Sequence, residues 1–196
     1  MASDPDATLM VAFQGGDQSA FRALFEKYGR SMVGYCNHFV RDAARAEELA
    51  QDVFLKLHRS AARYRPTARF KTFLYRVASN QCLNELRRGE YTTRRHAPLE
   101  DVAADPDTLP SAGESPEQAM LASALGQAVR RLLERLPAKQ RAAFVMARFE
   151  GLPYQEIAEV LDTTLPAVKS LVHRATVTAA AALAPYAGGA AREELP

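Results

Sequence analysis

The sequence has no tryptophan and only two cysteines, Cys36 and Cys82, in 196 residues. Two scattered cysteines make neither a disulfide framework nor a zinc site, and a buried free thiol is the expected state of each. No run approaches the ~18 apolar residues that a membrane-spanning helix needs. Residues 1–10 lack the basic and apolar segments of a secretion signal. A cytoplasmic location without membrane insertion is therefore expected. Alternating runs of Val, Ile and Thr are also missing, which argues against strands. Neither a nucleophile motif nor a glycine-rich phosphate loop occurs. No catalytic residues, no metal site and no cofactor are expected, so the chain does not read as an enzyme.

Ala, Leu, Glu and Arg are frequent instead, and they favour helices. The expected fold class is all-α, with two small helical bundles joined by an extended acidic linker. Asp17 suits the N-cap of a helix over 18–39, whose apolar face carries Phe21, Leu24, Phe25, Tyr28 and Met32. Asp42 suits the start of a second helix reaching 63, and Pro66 breaks it. A third helix follows over 69–88. These three make a bundle over 1–88. Residues 89–117 hold four prolines and lose all periodicity, as in a linker. That linker is as well explained by simple tethering as by a function. Helical periodicity returns over 118–185, with breaks at Pro137 and Gly151. Residues 186–196 are expected to form a disordered tail.

The net charge is only +2, but its distribution is uneven. Residues 1–88 hold 14 Lys and Arg against 9 Asp and Glu, whereas 89–117 hold 2 against 7. The most basic stretch spans 62–88, where Arg63, Arg65, Arg69, Lys71, Arg76, Arg87 and Arg88 face Glu85 alone. Such a stripe favours a polyanion. Residues 152–175 have the form of a helix-turn-helix. Ile157, Ala158 and Leu161 supply the inner face of a first helix, and Asp162 and Thr163 a tight turn. Thr164 caps a second helix whose inner face is Val168, Val172 and Ala175. Lys169, Ser170, His173 and Arg174 then point outward, as in a helix that enters the major groove. A plain helical hairpin with a solvated face has the same pattern. His173 lacks a second ligand at i±4, so it is not read as a metal ligand.

Taken together, the segments resemble the sigma-70 family of RNA polymerase sigma factors, extracytoplasmic-function (ECF) type. The likeness rests on GDQSAF at 16–21, AEELAQDVFLKL at 46–57 and ARFKTFLYRVASNQCLNELRR at 68–88. It continues in the Y-x-E-I-A-x-x-L pattern from Tyr154 and in V-K-S-x-x-x-R-A from Val168. The resemblance implies a sigma region 2-like domain at 1–88 and a region 4-like helix-turn-helix domain at 118–185. It implies that Glu48, Gln51 and Asp52 face the clamp helices of core RNA polymerase. Without it, a solvated helix face would be the preferred reading of those three. It further implies that Arg63, Arg65, Arg69, Lys71, Arg76 and Asn80 meet the promoter's minus-ten element. Lys169, Ser170, His173 and Arg174 would meet the minus-thirty-five element, and an anti-sigma factor would be a further partner.

The chemistry agrees with the minus-ten assignment. Strand opening needs cations for phosphates, aromatics that replace stacking and donors for a base edge. Tyr64, Phe70, Phe73 and Tyr75 interleave with the cations, with Phe70 and Phe73 expected in the core and loop 64–68 as the base pocket. The sequence departs from the family at Phe73, where Trp is usual, and at Asp162, where Gly is common. Leu171 and Thr176 also stand where the family favours Arg, which leaves the second helix poor in phosphate contacts. Two other readings remain open at this point. One is a helix-turn-helix regulator with a sensing or dimerising N-terminal bundle. The other is a helical adaptor for partner proteins.

Overall fold

A computed structural model describes residues 4–40, 42–93 and 116–187, with side chains for all of these except 90–93, 116–122 and 187. Most of the expected linker (94–115) and most of the expected tail (188–196) lie outside the described residues. The elements are α1 (Pro5–Gln14), α2 (Gln18–Asn37), α3 (Ala43–Ser60), a 3-10 turn (Ala61–Arg63), α4 (Phe70–Thr93), α5 (Pro116–Arg135), α6 (Ala138–Arg148), α7 (Tyr154–Val160) and α8 (Leu165–Ala187). Among the described residues there is no strand, so the all-α expectation holds.

Short polar side chains set the helix starts. Asp17 accepts the Ser19 N–H at 2.9 Å, and Asp42 accepts the Arg45 N–H at 2.7 Å. Each satisfies a donor that has no partner inside the helix. Helix α1 is not among the elements that periodicity predicts. Its start is nevertheless written in the sequence, because Asp4 caps it and Pro5 opens its first turn. Asp4 has a second role. One carboxylate oxygen accepts the Asp6 N–H at 3.1 Å, and the other accepts the Phe70 N–H at 2.7 Å. One aspartate thus caps α1 and the start of α4, sixty-six positions later.

In the first bundle, α2 packs on α1 and α3, and α3 packs on α4. Met10, Leu24, Met32, Leu57, Phe70 and Leu74 are fully buried there. One expectation fails on this face. Phe25 lies on the apolar side of α2 but is 48% exposed, resting edge-on against Phe54 with ring centroids 4.8 Å apart. The two cysteines, distant in sequence, are buried free thiols as expected, and they meet inside the bundle. Their sulfurs lie 3.8 Å apart across α2 and α4. Contact with Cys36 and burial hold the Cys82 thiol well above its ordinary pKa, so it stays protonated. In the second bundle, α8 packs against α5, α6 and α7. Buried apolar residues of the two bundles form one continuous cluster.

A buried polar knot fastens α1 to α2. Asp6 accepts the Tyr28 hydroxyl at 2.6 Å and the Lys27 ammonium at 2.6 and 2.7 Å. Burial and the neighbouring carboxylate push the Tyr28 phenol well above its ordinary pKa, so it remains a donor. Removing that hydroxyl leaves Asp6 paired with Lys27 but deletes a charge-assisted bond. Tyr28→Phe is expected to lower the unfolding free energy by about 1.5–3 kcal/mol, read as a drop in the urea midpoint by circular dichroism. An unchanged midpoint would show that the knot adds nothing.

Candidate nucleic-acid interface

Helix α4 carries three of the six predicted minus-ten residues, Lys71, Arg76 and Asn80, and it is buried along two lines. Phe70, Leu74, Ala78 and Cys82 recur every four residues and fill the first bundle. Thr72, Tyr75 and Ser79 form a second buried line. Between them runs an outward stripe with half-buried Phe73 and exposed Arg76 and Asn80. Arg63, in the 3-10 turn, and Arg65, in the loop before α4, are exposed as well. The Arg65 guanidinium donates to the Tyr64 carbonyl at 3.1 Å.

The aromatics behave differently from the cations. Phe70 is fully buried, as expected, and Phe73 only half so. Tyr64, expected in the loop of the base pocket, is 3% exposed and packs against Phe73 at 5.1 Å. Tyr75 is also buried. Only Phe73 keeps partial access to solvent, and the loop surface consists of Arg65, Pro66 and Thr67. Sequence order shows that aromatics alternate with cations. It does not show that most of the rings turn inward while the guanidinium groups turn out.

The second buried line of α4 meets the helix-turn-helix bundle. The Tyr75 hydroxyl donates to the Glu150 carboxylate, and the Thr72 hydroxyl donates to Glu156 at 2.7 Å. The Lys71 ammonium donates to the Glu150 carbonyl at 2.8 Å, and Arg69 pairs with Glu156 at 3.4 Å. Arg69 is 73% exposed, and such a pair contributes only about 0–1 kcal/mol. Hydrogen bonds from hydroxyls to a carboxylate contribute about 1.5–3 kcal/mol each, so Thr72 and Tyr75 dominate the polar part of this seam. Burial, and then the bond to Glu150, hold the Tyr75 phenol well above its ordinary pKa. Arg141, buried on α6, donates to the Phe39 carbonyl at 3.4 Å and to the Glu134 carbonyl at 3.0 Å. It thereby spans the ends of α2 and α5, where carbonyls without helical partners favour a cation.

The helix-turn-helix has the predicted geometry. Ile157, Ala158, Leu161, Val168, Val172 and Ala175 are buried. Asp162 occupies the turn at φ 49°, a left-handed conformation that aspartate tolerates. Thr164 accepts the Ala167 N–H at 3.3 Å and caps α8. Lys169, His173 and Arg174 are exposed, and Ser170 half so. The Arg174 guanidinium folds back onto the Ser170 hydroxyl, at 2.9 Å, along the same helix face.

On α3, the three predicted polymerase-facing residues are all exposed. Glu48 pairs with Arg45 at 2.6 Å, and Arg45 also bonds Glu85 of α4 at 2.8 Å. Those two carboxylates, Glu85 first, raise the Arg45 pKa, and Arg45 in turn lowers that of Glu85. Sequence reasoning missed Leu55, which is 51% exposed. Glu48, Gln51, Asp52 and Leu55 follow helical spacing along one stripe. Gln51 also lines a groove between α2 and α3, together with Phe25, Val33, Ala50 and Phe54. Among the described residues, no His, Cys, Asp and Glu cluster could hold a metal, and no helix is long and apolar enough to cross a membrane.

His38 touches both bundles, because its ring lies 4.5 Å from that of Phe149. Burial lowers its imidazole pKa from 6.5. The neutral ring is therefore favoured in the folded chain. Its contribution is complete above the unfolded value near 6.5 and is lost progressively as pH falls from there through the lower folded value. The urea midpoint is expected to fall between pH 7.5 and 5.5, and His38→Gln is expected to flatten that fall. An equally steep profile in the variant would assign the dependence elsewhere.

Two families match the chain, Sigma-70 region 2 over residues 24–92 and Sigma-70 region 4 over residues 126–176. The chain is 34% identical over 191 residues to the RNA polymerase sigma-H factor of Pseudomonas aeruginosa, covering 94% of this chain and 97% of that one. It is 32% identical over 176 residues to the ECF RNA polymerase sigma-E factor of Escherichia coli, covering 87% and 90%. In fold it is similar to CnrH, solved in complex with the cytosolic domain of CnrY, with TM-score 0.69, 22% identity and coverage of 93% and 99%. It is also similar in fold to the sigma factor RpoE of Bartonella quintana, solved with the anti-sigma factor NepR, with TM-score 0.65, 19% identity and coverage of 83% and 96%. With an outward basic stripe on α4, a formed helix-turn-helix and these relatives along nearly its whole length, the chain belongs to the sigma-70 family, ECF type, and is an RNA polymerase sigma factor of transcription initiation.

Proposed function

We propose a division of this work among three surfaces. The stripe Glu48, Gln51 and Asp52 on α3, extended by Leu55 and the neighbouring groove, binds core RNA polymerase. Arg63, Arg65, Arg69, Lys71, Arg76 and Asn80 engage the minus-ten element and assist strand opening. Lys169, Ser170, His173 and Arg174 on α8 engage the minus-thirty-five element. Residues 1–88 and 118–185 act as the two functional domains and 89–117 as the tether between them. The observation that carries this reading is the outward stripe of α4. It offers a guanidinium and a carboxamide side by side on a rigid helix, with two more guanidiniums just before it. That set suits phosphates and an exposed base edge.

The chain supplies no chemistry of its own on this reading. Nucleotide addition belongs to the polymerase, and the sigma factor works with it in the cytoplasm. An anti-sigma factor is proposed as a further partner, because one of the structural neighbours was solved bound to one.

Two variants separate the surfaces. Arg76→Ala/Asn80→Ala should reduce run-off transcription with purified core polymerase by at least about tenfold, equivalent to about 1.4 kcal/mol. It should leave co-purification with core enzyme unchanged, and permanganate reactivity at the start site should disappear. Gln51→Ala/Asp52→Ala should do the converse and lose co-purification first. Normal permanganate footprints in the first variant would overturn the minus-ten assignment. Full co-purification of the second would overturn the polymerase face.

A further inference from the structure

The segment 64–69, between the 3-10 turn and α4, has no regular structure, yet both of its ends are fastened to one helix. At its entrance, the Gln14 carboxamide at the end of α1 donates to the carbonyls of Ala61, Ala62 and Tyr64 at 3.0, 3.1 and 3.3 Å. At its exit, Asp4, the N-cap of α1, accepts the Phe70 N–H at 2.7 Å. These bonds reach across 47 to 66 positions of sequence. We propose that α1 is a brace for this loop and that Gln14 is a positioning residue, which sets the direction of Arg63 and Arg65 for minus-ten DNA. This inference rests on the minus-ten reading above.

The bonds themselves argue for more than a tie between helices. Helix α1 has ten residues, about 15 Å of rigid rod. Residues 64–69 fully extended would reach about 20 Å, so pinning both ends to that rod removes much of their freedom. A carboxamide has two N–H groups, so three carbonyls share two donors and the turn is gathered around one side chain. The Tyr64 carbonyl accepts from Gln14 and also from the Arg65 guanidinium, at 3.1 Å. One oxygen thus ties the direction of Arg65 to Gln14. Packing does not supply that direction by itself. Tyr64 lies against Phe73 at 5.1 Å, but its buried hydroxyl has no hydrogen-bond partner. The polar fixing of the loop therefore falls to Gln14 and Asp4. Gln14 is half-buried and takes no part in the Asp6–Tyr28 knot, so removing its donors should loosen the loop without opening the bundle.

The test compares three full-length variants: Gln14→Met, which keeps the side chain's length and removes its donors, Arg63→Ala/Arg65→Ala, and the triple combination. In the free chain, hydrogen–deuterium exchange of Gln14→Met should quicken over 61–69 by about three- to tenfold, the scale of one net hydrogen bond. Exchange in α2 and α3 should stay as it was. With purified core polymerase on the template of the run-off assay, permanganate-reactive opening should slow by a similar factor while co-purification is unchanged. Added to Arg63→Ala/Arg65→Ala, the Gln14 change should cost less than about twofold more, because residues that act through one another are not additive. Unchanged exchange over 61–69 would overturn the brace, and so would an increase spread equally over α2 and α3. Equal losses of opening from Gln14→Met with and without the two arginines would reduce Gln14 to a general stability contact and overturn its positioning role. In each of these cases the minus-ten reading stands if Arg63→Ala/Arg65→Ala is itself slow to open. Normal opening by that arginine variant would instead overturn the minus-ten reading of the loop, and the role of Gln14 with it.

Discussion

The two-sided burial of helix α4 is the constraint on which the rest of this structure depends. A helix presents about 3.6 residues per turn, so two buried lines leave room for little more than one outward stripe. Phe70, Leu74, Ala78 and Cys82 occupy the first line and Thr72, Tyr75 and Ser79 the second. What remains is the strip bearing Phe73, Arg76 and Asn80. The polar groups of the second line can be buried only because each has a partner. Tyr75 bonds Glu150, Thr72 bonds Glu156, and Ser79 bonds the Tyr35 hydroxyl at 2.7 Å. An unpaired hydroxyl in that position would be costly, so the second bundle is part of what makes α4 stable in this form.

The first turn of α4 is fixed from outside as well. Asp4 caps its start and that of α1 at once. The position of Arg69 therefore follows from a helix at the beginning of the chain. Arg45 performs a similar service farther along, tying α3 to α4 through Glu85 while holding Glu48. Helices α3 and α4 are thus joined by a guanidinium that also holds Glu48 of the α3 stripe. On the functional reading proposed above, a fixed relation between them suits a protein that holds polymerase and promoter in register, since geometry supplied by the scaffold need not be organised on binding.

Much of this was legible from local signals. Asp17, Asp42 and Thr164 mark helix starts, Gly151 and Asp162 adopt the left-handed conformations that turns require, and the inner face of the helix-turn-helix follows from spacing alone. The Asp4-Pro5 pair is the same kind of signal for α1. Phe25 and Tyr64 were not legible in the same way. An apolar side chain at a core-facing position and an aromatic in a basic loop look alike in sequence whether or not a neighbouring helix covers them. The seam was the least legible feature. Its bonds join residues 75, 79 and 84 positions apart, and no periodicity reports such pairings. Nothing in the local sequence around Glu150 and Glu156 marks them as partners of α4.

The charge-poor outward face of α8 takes on a different meaning beside that seam. Arg174 folds onto Ser170, so α8 offers Lys169 and His173 as its less encumbered outward groups. Two cations assigned to the minus-ten surface are engaged by carboxylate or carbonyl oxygens of the second bundle. Affinity for a polyanion grows with the number of phosphates neutralised. On the functional reading proposed here, the free chain has few cations available at either end. Both deficits point the same way. Promoter binding would then draw on the polymerase to bring the two surfaces to DNA together, because two weak contacts made at once gain from the high effective concentration that tethering provides. A more basic α8 would bind duplex without the polymerase and lose that dependence.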